Sequence, residues 1–461
     1  MKFLSLFVLG GLVAAADTII PSKGTDLSLT IYNNDRVFVH EIRHTRIPAG
    51  RQRLIYQNVP SSLITASVVP DFIGLPVTLY SQNYVYDLVS LPAMLKKSVG
   101  RTVAFYTNGR NPLLKHGTLL SAQSPVMVRE EKSGRILALE KATQVLFPSV
   151  PPNMITRPSL IWNIETPKEG NLTVDLKYLG TGISWKSDYV MDLHPETKKM
   201  DLVGWITVKN NSGVSYPNAR ITCLAGEVHT AATPGKNRVL YKAMAEAVAA
   251  PEVKEEAFSG YHIYKIPFRE TIADKEQKQI RFLEKRAVGY ESYGRAQVAS
   301  FPRKGVQKLR FLNTLRFANT RANGMGIPLP AGIVRMYSTD NEGETHFVGE
   351  SRLGNIPADE PVTLTIGTLF DATGEKRTTK YIAREGYRNV VSTYTLNNRG
   401  KTPLTLKLEE RLPTFGGTIH LKSSCKGPCS VKKVSAFVRE FTVKLLPKKS
   451  YSFTSEFEVI R

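Results

Sequence analysis

The residues with the clearest chemical potential are His40–Glu41–Ile42–Arg43–His44, which carry the H-E-x-x-H spacing of zinc peptidases. On a helix that spacing puts two imidazoles one turn apart, so both can bind one ion while the glutamate serves as general base. The flanks argue for a different backbone. Arg36–Val37–Phe38–Val39 and Thr45–Arg46–Ile47 are rich in β-branched and aromatic side chains and run into Pro48, which is strand composition. In a strand the two histidines lie about 13 Å apart, at about 3.3 Å per residue. Two nitrogens on one zinc are separated by at most about 4 Å. No His or acid follows His44 before Asp71, so a nearby third ligand is missing too. The segment is read as a strand.

Other constellations carry less. Phe370–Asp371–Ala372–Thr373–Gly374 resembles an aspartic-protease loop, but an extra residue separates Asp371 from Thr373–Gly374 and no second copy exists; a turn after a strand is expected. His116, His194, His229, His262, His346 and His420 form no ligand cluster in sequence. There is no G-x-S-x-G elbow, P-loop or dinucleotide fingerprint. No catalytic, cofactor-binding or metal-ligating residue is therefore assigned. Of the three cysteines, Cys425 and Cys429 bracket Lys426–Gly427–Pro428, a turn-forming insert. They are expected to form a local disulfide in an oxidising compartment. Two thiolates are too few for structural zinc, and the spacing is not the redox C-x-x-C. Cys223, in the apolar run Arg220–Leu224, is expected to be a buried free thiol.

The elements that would position these residues read as β throughout. Short alternating runs are punctuated by Gly, Pro, Asn and Asp. Residues 17–86 are expected to form an N-terminal β-sandwich domain. Residues 87–150 should hold a short helix, interrupted by Pro92, and five short strands closing a small SH3-like barrel. Residues 151–170 read as a Pro-rich linker and first strand. Residues 171–461 read as a double β-sandwich region. An insertion at 233–259 contains strong helix formers over Val239–Ala250. The fold class expected is all-β: tandem immunoglobulin-like sandwiches, one small barrel and one helical insertion.

Two features bear on location and partners. Met1–Lys2–Phe3, the apolar run Leu4–Val13 and Ala14–Ala15–Ala16 have the order of a secretory signal peptide. Cleavage near Ala16 would give a periplasmic or secreted protein. The run is shorter than the ~20 apolar residues that span a bilayer, and no transmembrane segment is expected in the mature chain. The 461 residues carry 62 Lys and Arg against 40 Asp and Glu, a formal charge of +22. Such a field attracts anions. Outside the cytoplasm these are acidic polysaccharides, lipid head groups and cell-wall polymers rather than nucleic acid. The basic residues are spread along the chain, as at Lys96–Lys97, Lys198–Lys199 and Lys432–Lys433, so no patch is visible in sequence.

A resemblance emerges at Gly182–Ile183–Ser184–Trp185–Lys186–Ser187–Asp188–Tyr189, Asn210–Asn211–Ser212–Gly213, Gly326–Ile327–Pro328–Leu329–Pro330–Ala331–Gly332 and Gly367–Thr368–Leu369–Phe370–Asp371. In this order the segments resemble a bacterial envelope family of unannotated domains that includes mucoidy inhibitor A, over roughly residues 158–461. Ile31–Tyr32–Asn33–Asn34 with Pro48–Ala49–Gly50 is similar to that family's leading β domain. The resemblance implies an envelope protein and supplies no catalytic residues. Mucoidy-inhibitor members place a long coiled coil between the domains, where this chain has only 87–98 and the small barrel. Trp185 and Tyr189, four apart, share one face of a strand; a core role is expected ahead of a carbohydrate-stacking one. The function expected is a non-enzymatic envelope protein, an interaction scaffold for another envelope protein or an acidic glycan. The alternative is an envelope-polymer hydrolase, metal-dependent or carboxylate-based.

Overall fold

The computed structural model describes residues 16–22, 26–86, 90–149, 157–226, 254–258, 261–301, 305–413 and 418–460. The leader expected at 1–16 lies outside these residues except for Ala16, which opens the strand Ala16–Ile20. The helix expected at Val239–Ala250 lies outside them entirely. The protein is all-β, with a single α-helix among the described residues. Two compact units divide the chain. One holds the described parts of Met1–Trp185 with Val208–Leu224 and Ile266–Lys278; the other holds those of Lys186–Thr207, Ala225–Lys265 and Gln279–Arg461.

The first unit contains a sandwich. One sheet runs Ala16–Ile20, Gly50–Gln57, Ser159–Thr166, Thr78–Val85. The facing sheet includes, in order, Tyr216–Ala225, Asp26–Tyr32, Arg36–Ile47, Gly170–Thr181 and Val69–Ile73. Strict alternation of buried and half-buried positions along Asp26–Tyr32 and Gly170–Thr181 supplies Leu29, Ile31, Val174 and Leu176 to the interior. Trp162 is the keystone of the opposite sheet. Its ring meets Tyr56 of its own sheet edge-on at 5.7 Å and Phe72 of the facing sheet at 5.6 Å. The boundary expected at 151–170 does not fall between sheets. Ser159–Thr166 pairs with both Gly50–Gln57 and Thr78–Val85, and Gly170–Thr181 pairs with Arg36–Ile47. Residues 17–86 alone would leave a sheet without its central strand. The sandwich is instead completed after the small barrel, which is inserted between two adjacent strands.

That barrel is a five-stranded sheet in the order Ile136–Leu139, Val126–Glu130, Leu114–Ser121, Thr102–Tyr106, Val145–Leu146, with the helix Leu91–Ser98 against it. Leu95, Phe105, Leu119, Val128, Leu139 and Val145 share its core. Asn108 ties its ends together, donating to the Ala138 carbonyl at 2.9 Å and accepting from the Glu140 amide and the Gln144 side chain. Pro92 does not interrupt the helix; it sits in the first turn behind the Ser90 cap, where its missing N–H is no loss.

The second unit contains a rolled sheet of nine strands. Its order is Thr418–Ser423, Ser450–Ile460, Tyr387–Asn398, Pro361–Arg384, Val306–Ala318, Glu291–Ala299, Leu404–Arg411, Val438–Leu445, Cys429–Ser435. Five strands separate Val438–Leu445 from Ser450–Ile460, yet the rings of Phe441 and Phe453 lie 4.7 Å apart. The sheet therefore curls into a half-barrel around Phe311, Tyr394, Leu406, Leu408, Phe441 and Phe453. Across the gap, contact is made by side chains. Glu410 and Arg439 are both buried and ion-paired. Glu410 also accepts from Ser300, from Tyr394 at 2.8 Å and from Ser455 at 2.7 Å, while Arg439 donates to the Ser455 hydroxyl. Lys376, 2% exposed, ends on the Ala299 carbonyl at 2.8 Å.

Burial pushes the Glu410 carboxyl up, but the Arg439 guanidinium and the hydroxyls of Ser300, Ser455 and Tyr394 outweigh it and hold the group below its ordinary value. A carboxyl lowered by folding stabilises fully above its unfolded value of about 4.3 and loses that contribution as pH falls through the folded one. Thermal melts of wild type and Glu410→Gln should therefore differ most at neutral pH. The gap should narrow as pH drops below about 4.3; a gap independent of pH would contradict the assignment.

Candidate functional site

The H-E-x-x-H residues lie on the strand Arg36–Ile47, whose positions alternate inward and outward. His40 and His44 fall on the outer face. His40 bonds Asp175 at 2.8 Å and His44 bonds Thr173 at 2.8 Å, both on the neighbouring strand. Glu41 and Arg43 fall on the inner face, in phase with Val37 and Val39. Arg43 grips the Glu41 carboxylate with two N–H groups at 2.9 and 2.8 Å and donates to the Gln57 carbonyl at 2.8 Å. Its guanidinium lies over the Tyr56 ring at 3.7 Å, and the Tyr56 hydroxyl donates to Glu41 at 2.7 Å. Burial, with Glu41 close by, pushes that hydroxyl well above its ordinary range, so it stays protonated and donates. The strand thus divides the motif between two faces, and the glutamate is an internal counter-ion rather than a base beside paired imidazoles.

Two stretches of the segments that carry the family resemblance, Lys186–Tyr189 and Gly326–Gly332, meet in the second unit. Ser187 donates to the carbonyls of Pro330 and Ala331 at 3.0 and 2.8 Å, and the Tyr189 hydroxyl donates to Pro330 at 2.6 Å. These bonds fix the turn that leads into Gly332–Thr339, which then runs parallel to Ile183–His194 with Ser187 opposite Gly332. A Cβ at Gly332 would sit 2.3 Å from the Ser187 carbonyl oxygen, so this approach requires glycine. Asp188, on the other face, is buried between Lys186 at 3.0 Å and Arg335 at 3.3 Å and accepts from Thr207 at 3.1 Å. Burial raises its carboxyl, and the two cations and the hydroxyl outweigh that and lower it. Trp185 and Tyr189 are both buried; the Trp185 indole donates to the Leu224 carbonyl at 3.1 Å.

The other singled-out residues are also placed. Cys425 and Cys429 are joined by a disulfide, with Cα atoms 5.2 Å apart, beside the half-barrel core. Cys223 is a buried free thiol, pushed up by desolvation. Phe370–Gly374 is not a turn after a strand. It lies within the strand Pro361–Arg384, where Thr368–Thr373 bulges opposite Leu312–Arg310 and leaves Phe370 95% exposed. Asp340, Glu344 and His346, at the tip of a hairpin, could offer one ligand atom each within 4.8 Å. All three are exposed, and the Asp340 oxygen Oδ1 already accepts from the Glu342 and Glu344 amides, which accounts for the cluster as turn structure.

These placements give a direct test. Glu41→Ala should destabilise the fold by about 3–5 kcal/mol, because Arg43 would be left buried without its counter-ion. His40→Ala and His44→Ala should each cost no more than about 1 kcal/mol, as for surface ion pairs. Chemical denaturation of the three variants checks this ranking; equal effects would overturn it.

Comparison with curated proteins finds no match. A family model described as a domain of unknown function, DUF4139, matches residues 174–460, which contain every segment quoted above from Gly182 onward. The chain belongs to that family, the domain of unknown function DUF4139.

Proposed function

We propose that this is an exported envelope protein, periplasmic or secreted, that acts without catalysis as an interaction scaffold and binds acidic glycan or an envelope protein carrying acidic surface. The observation that carries the reading is where the charge sits. Among the described residues the buried ionisable groups nearly cancel: Glu41, Glu130, Asp188 and Glu410 against Arg43, Lys376 and Arg439. Among the described residues, the excess of Lys and Arg over Asp and Glu is therefore a surface property. The family segments support the same reading, since Ser187, Tyr189 and Gly332 are occupied in holding two strands together. No helix among the described residues is long and apolar enough to cross a membrane.

Full-length protein should be retained on an immobilised polyuronate at about 0.01 M salt, where the screening length is about 30 Å, and released towards 1 M, where it is about 3 Å. Passage through the column at low salt would remove the glycan reading. Crosslinking in cells would then test the protein-partner reading, and recovery of no envelope protein would remove that as well.

A further inference from the structure

The small barrel exposes a face that its own fold does not need. Its inward positions are filled by Val103, Phe105, Leu119, Val126, Val128 and Leu139. The alternate, outward positions should then be polar. Several are large and apolar. Tyr106 stands opposite Leu114, Leu146 stands opposite Ala104, and Ile136 stands opposite Arg129. All four of these apolar side chains are exposed, Ile136 by 54%, and Leu113 joins them at 62%.

The exposure of Leu113 and Leu114 is built in. The Thr107 amide donates to the Leu113 carbonyl at 3.0 Å, and the Leu113 amide donates to the Thr107 hydroxyl at 2.9 Å. The loop is thereby closed on both sides of residues 108–112, and the two leucines cannot fold back into the core.

The charge of the module around this face is predominantly basic. Residues 90–149 hold nine Lys and Arg against three Glu. Of the three, Glu130 is turned inward and paired with Lys115 at 2.8 Å, Glu131 lies beyond its strand end, and Glu140, whose amide bonds Asn108 in the Thr107–Leu113 loop, is followed directly by Lys141. Arg129 stands between Thr118 and Ile136 on the outer face, and Arg110 lies in the Thr107–Leu113 loop.

We propose that this face docks the barrel on an anionic phospholipid surface, with Tyr106, Leu113, Leu114 and Leu146 entering the head-group boundary, and Arg110 in the adjoining loop and Arg129 further along the outer side meeting lipid phosphates. Tyr106 and Leu114 are paired, Leu146 pairs two residues from Tyr106 and Leu113 adjoins Leu114, and a cluster of exposed apolar side chains of this kind marks an interaction surface. Aliphatic side chains gain from hydrocarbon, and basic residues gain from an anionic leaflet. A sugar chain would recruit flat rings and hydrogen-bonding groups, and this face offers chiefly leucine. The inference is independent of the polyuronate reading, because it concerns apolar insertion.

The test is sedimentation of the full chain with vesicles of phosphatidylglycerol and phosphatidylcholine, against vesicles of phosphatidylcholine alone. Wild type should partition to the anionic vesicles at least tenfold more strongly. Leu113→Ser with Leu114→Ser should abolish most of that gain while leaving polyuronate retention unchanged. Leu113→Ser alone, in a loop and far from the core, should weaken binding without shifting the melting temperature. Equal partition to both vesicle types overturns the proposal, as does wild-type behaviour of the double variant. Loss of polyuronate retention in the double variant would assign the face to glycan, and a concentration-dependent dimer abolished by the same substitutions would assign it to a second copy; either overturns the lipid assignment.

Discussion

Each unit depends on a carboxylate and a guanidinium that have been taken out of water together. Charges removed from solvent cost several kcal/mol each unless they meet a partner and further hydrogen bonds. Glu41 and Arg43 satisfy this in the sandwich with Tyr56 and the Gln57 carbonyl. Glu410 and Arg439 do so in the half-barrel with Ser300, Tyr394 and Ser455. In the half-barrel the pair also has a geometric task. Val438–Leu445 and Ser450–Ile460, each one strand in from an edge of the sheet, face each other across its curl, and Arg439 reaches from one to Ser455 on the other. An apolar side chain there could pack against both strands, but it would not fix how far one slides along the other.

Other carboxylates are likewise shared between cations. Asp188 lies between two cations, and Asp26 accepts from both Arg220 and Arg269. Each of these two acids joins two bases. The small barrel shows the trend in concentrated form, with its one inward glutamate neutralised by Lys115.

Much of the architecture was legible because strands advertise themselves by period. The alternation in Leu27–Tyr32 and in the five short runs after residue 100 gave the β class and most strand positions. Sandwich closure was not legible: the partner of Thr78–Val85 lies more than seventy residues later, beyond an inserted barrel, and periodicity has no term for such distant pairing. The buried pairs were visible but passed over. Glu41 and Arg43 continue the inward phase of Val37 and Val39, Glu410 continues that of Leu406 and Leu408, and Arg439 precedes Phe441, Val443 and Leu445 in the same phase. A charge in an apolar phase signals a buried partner, and the H-E-x-x-H spacing drew attention to the wrong pair of side chains. A further regularity has no fixed period in the sequence. Asn210 and Asn398 each end a strand, accept an amide two residues on, and donate to carbonyls across the loop. The equivalence is one of geometry, spread over different loop lengths.

The insertion point of the small barrel has a practical meaning. Val85 and Ser159 are direct neighbours across two paired strands, so the chain leaves the sandwich and re-enters it at almost the same place. A module attached through such a doorway adds nothing to the topology around it. Evolution, or an engineer, could exchange it for another cassette or bridge the two strands with a hairpin turn, keeping the host scaffold while changing what it presents.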